Sequence, residues 1–420
     1  MAATHRSAEG VAAAFKERFD GPATHLARAP GRVNLVGEHT DYNDLPVLPI
    51  AMQREARLAF RPRSDGMVVV HDVEDEFGPL EFELRPGLPP EPGGHWGNYV
   101  KGPANELARR CAIWRGFDGV LDSDVPVAAG LSSSSAIVIA VGLALAHINE
   151  VAVEERAFVE LMADAERYTG TRGGAMDHSI SMGGRAGFAA KITFGPLRVR
   201  HVPIPADWSF VVADTGVRAE KSGPAQHTYN LRRTECEEAF SLIVQEIVRS
   251  DRTPTVPGNY PALLRAMAVD DVLALADDIL SGNLLRRFRH VVTEAARVEE
   301  AVDRLRSADL SGFGSLMDAS HGSLRTDFLV STGELDELAA IAREGGAAGA
   351  RLTGAGLGGC IVALADRTTV GSVLETLVAE YYEPRELTDG LDDRVFVAVA
   401  SGGASVGPLS QDPAPSTTVS

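Results

Sequence analysis

The stretch that most constrains this chain is Pro126-Val-Ala-Ala-Gly-Leu-Ser-Ser-Ser-Ser135, which runs directly into the apolar segment Ala136-Ile-Val-Ile-Ala-Val-Gly-Leu-Ala-Leu-Ala-His-Ile148. Gly130 lets the backbone approach a ligand closely, and the serines offer hydroxyls while favouring the first turn of a helix. The apolar run supplies that helix. A helix opening under a Gly/Ser loop points free backbone N–H groups and the positive end of its dipole at one spot, which suits a phosphate. The loop lacks the Gly-Lys-Ser/Thr ending of a Walker A sequence. The plainer alternative is a serine linker or an ordinary helix cap, but linkers rarely run straight into a buried apolar helix.

With 420 residues, 45% of them hydrophobic, the chain is long enough for two or three globular domains. The formal net charge of -18 gives a long-range field that repels nucleic acid and anionic membranes, so neither is expected as a partner. A polyphosphate ligand must therefore be held locally, by backbone dipoles, a few cations and metal. Cys111, Cys236 and Cys360 are widely spaced, with no Cys-x-x-Cys pair, and read as reduced thiols. The start, Met1-Ala-Ala-Thr-His-Arg-Ser7, has no apolar signal-peptide core, and Ala136 to Ile148 is too short to span a bilayer. The expectation is a cytoplasmic enzyme, acting as a monomer.

Before the serine loop, Val11, Phe15 and Phe19 recur at helical spacing and predict a lead-in helix up to about Pro22. In Arg28 to Met52, strand-like Val33 and Leu35, then Val47, Leu48 and Ile50, bracket a polar centre, so Glu38, His39, Asp41 and Tyr42 fall on a connection between strands. Donors and acceptors this dense suit a polyhydroxylated ligand; the alternative is a solvated turn. Residues 54 to 86 alternate as strands with a charged outer face. Trp96-Gly-Asn-Tyr-Val-Lys-Gly102 then leads into a helix through Ala104, Leu107 and Cys111, and Trp96 and Tyr99 are either flat walls for a purine or plain core.

After the serine loop, residues 153 to 168 form an amphipathic helix with Glu166 near its end. Thr169 to Gly184 reads as a second informative loop, in which Asp177 sits among glycines and apolar neighbours, either rigidly held for chemistry or merely capping a turn. Alternation returns from Phe188 to Ile204, and Trp208 to Ala213 is a buried strand. Helices are predicted at about 228–250, 260–281, 290–307 and 334–344. A glycine loop, Gly354, Gly356, Gly358 and Gly359, then runs into the strand Cys360 to Leu364. Residues 1–185 and 186–408 are expected to form two domains, and residues 409–420 a disordered tail.

Three of these motifs coincide in order, and together they resemble the GHMP kinase superfamily and, within it, the galactokinase family. Arg32-Val-Asn-Leu-Val-Gly-Glu-His-Thr-Asp-Tyr-Asn43 is similar to that family's sugar-binding signature, Pro126 to Ala136 to its phosphate loop, and Leu352-Thr-Gly-Ala-Gly-Leu-Gly-Gly-Cys360 to its third glycine motif. Shorter matches at Trp96 to Gly102, Gly174-Ala-Met-Asp177, Tyr229 to Arg233, Arg287 to Val292 and Ser320 to Arg325 carry the resemblance over nearly the whole chain. It implies an α/β (α+β) fold of two domains with the active site in the cleft between them, and an ATP-dependent sugar 1-kinase acting on galactose. It places Glu38, His39, Asp41, Gly174 and Tyr229 around the sugar, with Arg32 and Asp177 as the catalytic pair at the anomeric hydroxyl. It assigns ATP to Gly130, Leu131, Ser132, Ser133 and Ser134, adenine to Trp96 and Tyr99, and Mg²⁺ to Ser134 and Glu166.

Three departures bear on which sugar is used. Asp44-Leu45-Pro46 replaces the usual Gly-containing turn, His178 replaces the usual Gln, and Arg218 to Thr228 replaces a shorter connection, with Lys221 a candidate partner for a carboxylate. N-acetylgalactosamine, galacturonate and L-arabinose remain open at this point. So does a sugar sensor without turnover, although the retained serines, Glu166 and Asp177 speak for an enzyme.

Overall fold

The computed structural model describes residues 7–74, 78–170, 172–218, 224–253 and 255–409. Its first sheet has six strands in the order Ser405–Pro408, His25–Asn34, Pro49–Pro62, Phe117–Ser123, Met67–Asp72, Leu80–Glu83. All neighbours are antiparallel except Met67–Asp72 beside Phe117–Ser123. Alternation in the outer strands buries Val68, Val70, Leu80 and Phe82 and leaves Glu81 and Glu83 in solvent, as a sheet with one wet face requires. The helix Ser133–Ile148 is apolar on nearly every side because it is walled in by the helices Asn98–Cys111 and Glu155–Glu166 and by the sheet. Helix Ala8–Arg18 closes another face of the sheet, with Val11 and Phe15 packed on Ala59 and Val120.

The second sheet is antiparallel in the order Val395–Ala398, Trp208–Asp214, Cys360–Asp366, Gly349–Leu352. Helices Pro224–Arg249, Gly282–Arg306, Gly333–Glu344 and Val370–Leu377 share a core with it. Phe188–Thr193 and Arg198–Pro203 form a separate hairpin. Near its end the chain returns to the first sheet, pairing His25 with Pro408 and Arg28 with Ser405. Residues 410–420, most of the expected tail, lie outside the described residues, as does Lys221.

Several elements differ from their expected form. The helix expected over 260–281 is two, Tyr260–Ala266 and Val269–Ile279, because Met267 and Ala268 adopt extended backbone between them. The helix expected from 290 begins at Gly282, its first turns carrying Arg286 and Arg287 where an apolar stripe would have announced it. Leu310–Ser323 was hidden by its glycines: a Cβ on Gly314 would stand 2.1 Å from the Ala348 carbonyl, so glycine is there for close packing against helix propensity. Part of the loop expected over Thr169–Gly184 is the helix Met176–Gly183, held by the buried Ile180 and Ser181. Among the described residues, no helix is long and apolar enough to cross a membrane.

Candidate active site

The serine loop turns on three left-handed residues, Ala128 (φ 57°), Gly130 (φ 76°) and Ser132 (φ 63°), and the helix Ser133–Ile148 starts immediately after the last of them. Its N-cap makes no side-chain hydrogen bond to the first turn, which leaves those N–H groups without a side-chain cap, as an anion site at a helix start requires. Ser132 Oγ is buried with no hydrogen-bond partner, an arrangement that a ligand oxygen would satisfy. The third glycine motif lies directly behind this loop: Cys360 N donates to the Ala129 carbonyl at 3.1 Å, and a Cβ on Gly354 (φ 86°) would stand 2.5 Å from the Gly130 carbonyl. The two glycine loops meet backbone to backbone.

Glu166, at the end of Glu155–Glu166, accepts hydrogen bonds from Ser134 Oγ (2.6 Å) and Ser135 Oγ (2.7 Å), and His178 Nε2 lies 3.1 Å from its second oxygen. Arg32 links this region to Asp177. Its Nε donates to Asp177 Oδ1 at 2.9 Å and its Nη1 to the Gly130 carbonyl at 2.5 Å, with the Arg32 side chain only 4% exposed. Asp177 occupies the first turn of Met176–Gly183, where the helix dipole favours a carboxylate.

One pocket is lined by Arg32, Glu38, His39, Asp41, Glu166, Gly174, Asp177, His178 and Tyr229, together with Gly354 and Ala355. Glu38 Oε2 accepts from Arg351 Nη2 at 2.8 Å and Asn34 Nδ2 at 3.2 Å; burial raises its pKa, with Arg351 and Arg32 opposing. His39 Nε2 meets the Ala355 carbonyl at 3.1 Å and so must donate, which leaves Nδ1 to accept from Tyr42 Oη at 2.9 Å. Burial, with His290 nearby, lowers its pKa to about 3, so the ring is neutral. Asp41 Oδ2 accepts from Met176 N at 3.3 Å; burial and then the Asp177 charge raise its pKa. Gly174 is packed so tightly on Asp41 that a Cβ would stand 2.0 Å from Oδ2. Tyr229 closes the side, its ring 5.7 Å from that of Tyr42.

Trp96 and Tyr99 do not line this pocket; they sit half-buried against the core of the first sheet, at the start of Asn98–Cys111. Burial and the neighbouring Glu166 charge push the Tyr99 hydroxyl up to about 12.

The galactokinase galactose-binding signature matches residues 13–62, the GHMP kinase N-terminal domain residues 98–185 and the GHMP kinase C-terminal domain residues 298–383. A galactokinase of Chloroflexus aurantiacus is 40% identical over 94% of this chain and 96% of its own length, and one of Chloroflexus aggregans is 39% identical over the same shares. The chain belongs to the galactokinase family. The crystal structure of Lactococcus lactis galactokinase complexed with galactose superposes with a TM-score of 0.82 at 29% identity, covering 94% of this chain and 98% of that one. Methanococcus jannaschii mevalonate kinase, at 17% identity, shares the fold with a TM-score of 0.60, covering 90% and 98%.

Of the departures from the galactokinase pattern, Asp44 takes a left-handed conformation (φ 61°), Leu45 is buried, and the Pro46 carbonyl accepts from Thr40 Oγ1 at 2.8 Å. The turn is thus internally closed. His178 is 2% exposed and faces Glu166. Residues 219–223 of the Arg218–Thr228 segment lie outside the described residues. Sequence reasoning counted Ser135 among the loop hydroxyls but gave it no specific role, whereas it shares Glu166 with Ser134; it missed the buried group Asn34, His290, Glu294, Arg351 and Thr353 around Gly37 and Glu38. A signal existed for Arg351, a charge flanked by Ala350 and Leu352 in a strand buried along its whole length.

Proposed function

We propose that this chain transfers the γ-phosphoryl group of ATP to the C1 hydroxyl of galactose, with Arg32 and Asp177 as the catalytic residues. The observation that carries this reading is the Arg32 bridge: one guanidinium touches both the Gly130 carbonyl of the phosphate loop and the Asp177 carboxylate. Phosphoryl transfer needs alignment and charge neutralisation more than covalent help. Asp177 attracts or accepts the sugar proton, and Arg32 offsets charge that develops between sugar oxygen and phosphate. Glu38, His39, Asp41, Gly174 and Tyr229 hold the ring. Galactose and glucose differ at C4, so a site built for one leaves a buried polar group unpaired with the other.

Gly130, Leu131, Ser132, Ser133 and Ser134 take the ATP phosphates in this reading, and Trp96 and Tyr99 flank the adenine. Ser134 Oγ and the Glu166 carboxylate form a hard-oxygen pair that fits Mg²⁺, an ion that takes one or two carboxylates and completes its shell with phosphate oxygens and water. Bound there, Mg²⁺ would neutralise phosphate charge. The deciding experiment is ADP release with a panel of galactose, glucose, N-acetylgalactosamine, galacturonate and L-arabinose, with NMR of the product to locate the phosphate. Galactose 1-phosphate as the preferred product supports the reading; a clear preference for a 2-acetamido or uronic sugar reassigns the substrate.

A further inference from the structure

Behind the sugar loop, the helix Gly282–Arg306 holds the backbone of Glu38 from both sides. Glu294 Oε1 accepts from Gly37 N at 2.8 Å and Glu38 N at 3.3 Å, while His290 Nε2, one turn earlier, donates to the Glu38 carbonyl at 3.1 Å. Val298, a further turn along, stands where a Cβ on Gly37 (φ 98°) would come within 2.7 Å of it. Three residues at four-residue spacing on one helix face thus fix the two peptide units around Glu38. Arg351 fixes the side chain as well, with Nη2 on Glu38 Oε2 at 2.8 Å and Nη1 on the Asn34 carbonyl at 2.9 Å.

Glu294 is fully buried and takes donors only: Gly37 N, Glu38 N, Ser320 Oγ at 2.6 Å and Arg297 Nε at 2.6 Å. A carboxylate can accept all four, whereas an amide of the same shape would turn an N–H toward a donor. The arrangement converges on one buried side chain that lines the pocket.

We infer that Glu294, His290 and Arg351 are positioning residues that set Glu38 for the sugar, so that affinity for sugar but not for nucleotide depends on them. This rests on the galactokinase reading above, and the two are tested separately. Turnover of galactose by the unaltered protein checks the reading; the ratio of variant to unaltered sugar affinity checks the clamp, and that ratio is measurable for whichever sugar the panel selects.

The test is calorimetric titration of the sugar, without nucleotide, and separately of a non-hydrolysable ATP analogue. Glu294→Gln is expected to raise the sugar Kd about tenfold or more while the nucleotide Kd stays within about twofold. His290→Leu is expected to weaken sugar binding, and His290→Gln to restore most of it, since the Gln amide can donate to the Glu38 carbonyl. If Glu294→Gln fails to fold, Arg351→Lys decides by the same ratio, because Lys keeps the charge but loses the second arm on Asn34. Unchanged sugar affinity in a folded variant, or sugar and nucleotide affinity falling together, overturns the inference. Equal impairment by His290→Gln and His290→Leu does so too.

Discussion

Arg32 Nε stands 2.9 Å from Asp177 Oδ1, and the two side chains are 4% and 12% exposed. Asp177→Asn keeps the shape but removes the charge that Arg32 pairs with and the acceptor proposed for the sugar proton. Turnover is expected to fall by at least about 100-fold, while binding of a non-hydrolysable ATP analogue stays close to that of the unaltered protein. An ADP-release assay beside a nucleotide titration checks this, and undiminished turnover would remove Asp177 from the mechanism.

Gly174 has no room for a methyl group, since its Cβ would lie 2.0 Å from Asp41 Oδ2. Gly174→Ala therefore displaces Asp41 from its bond to Met176 N. The galactose KM is expected to rise about tenfold or more, with the ATP KM changed by less than about twofold. Steady-state kinetics with each substrate varied in turn give the answer; an unchanged galactose KM would place Asp41 outside the sugar site.

The converse split is expected at Gly354. Its φ of 86° disfavours any side chain, and a Cβ would stand 2.5 Å from the Gly130 carbonyl and 2.8 Å from Gly130 Cα. Gly354→Ala pushes on the phosphate loop from behind, so the ATP KM should rise several-fold while calorimetric galactose affinity holds. Loss of galactose affinity instead would show that the third glycine motif supports the sugar and not the phosphates.

His39 gives a pH dependence with a definite sign. Its pKa falls from the ordinary 6.5 to about 3 in the fold, so between those values the unfolded chain binds the proton and the native protein does not. Stability from this group is present above pH 6.5 and is lost as pH falls, at about 1.4 kcal/mol per pH unit inside the window. Glu38 and Asp41, raised by burial, act in the opposite direction, so the comparison must isolate position 39. Asn tolerates the left-handed backbone there (φ 61°). Denaturant unfolding at pH 6.5 and pH 5 should show the unaltered protein losing more stability than His39→Asn; parallel losses would mean that the imidazole is not held neutral.

What the sequence determined by itself is what short-range chemistry encodes. Gly130 and the serines before an unbroken apolar run dictate a loop and a helix start within one stretch, and the polar centre between Val33 and Ile50 has to be a connection, because strands flank it. The resemblance added the family, since motifs in order over the chain can be matched without knowledge of contacts, and the residue roles proposed above rest on it. Only the tertiary structure decided the rest. That Asp177 opens a helix depends on Ile180 and Ser181 being buried against distant strands, and that Gly354 abuts Gly130 depends on two backbones meeting far apart in the chain. The grip of His290, Glu294 and Arg351 on Glu38 joins a helix and a strand to a loop from the other half of the molecule. Composition and periodicity report which face of an element is buried, but a buried charge finds its partner through the fold, and that pairing has no local signature.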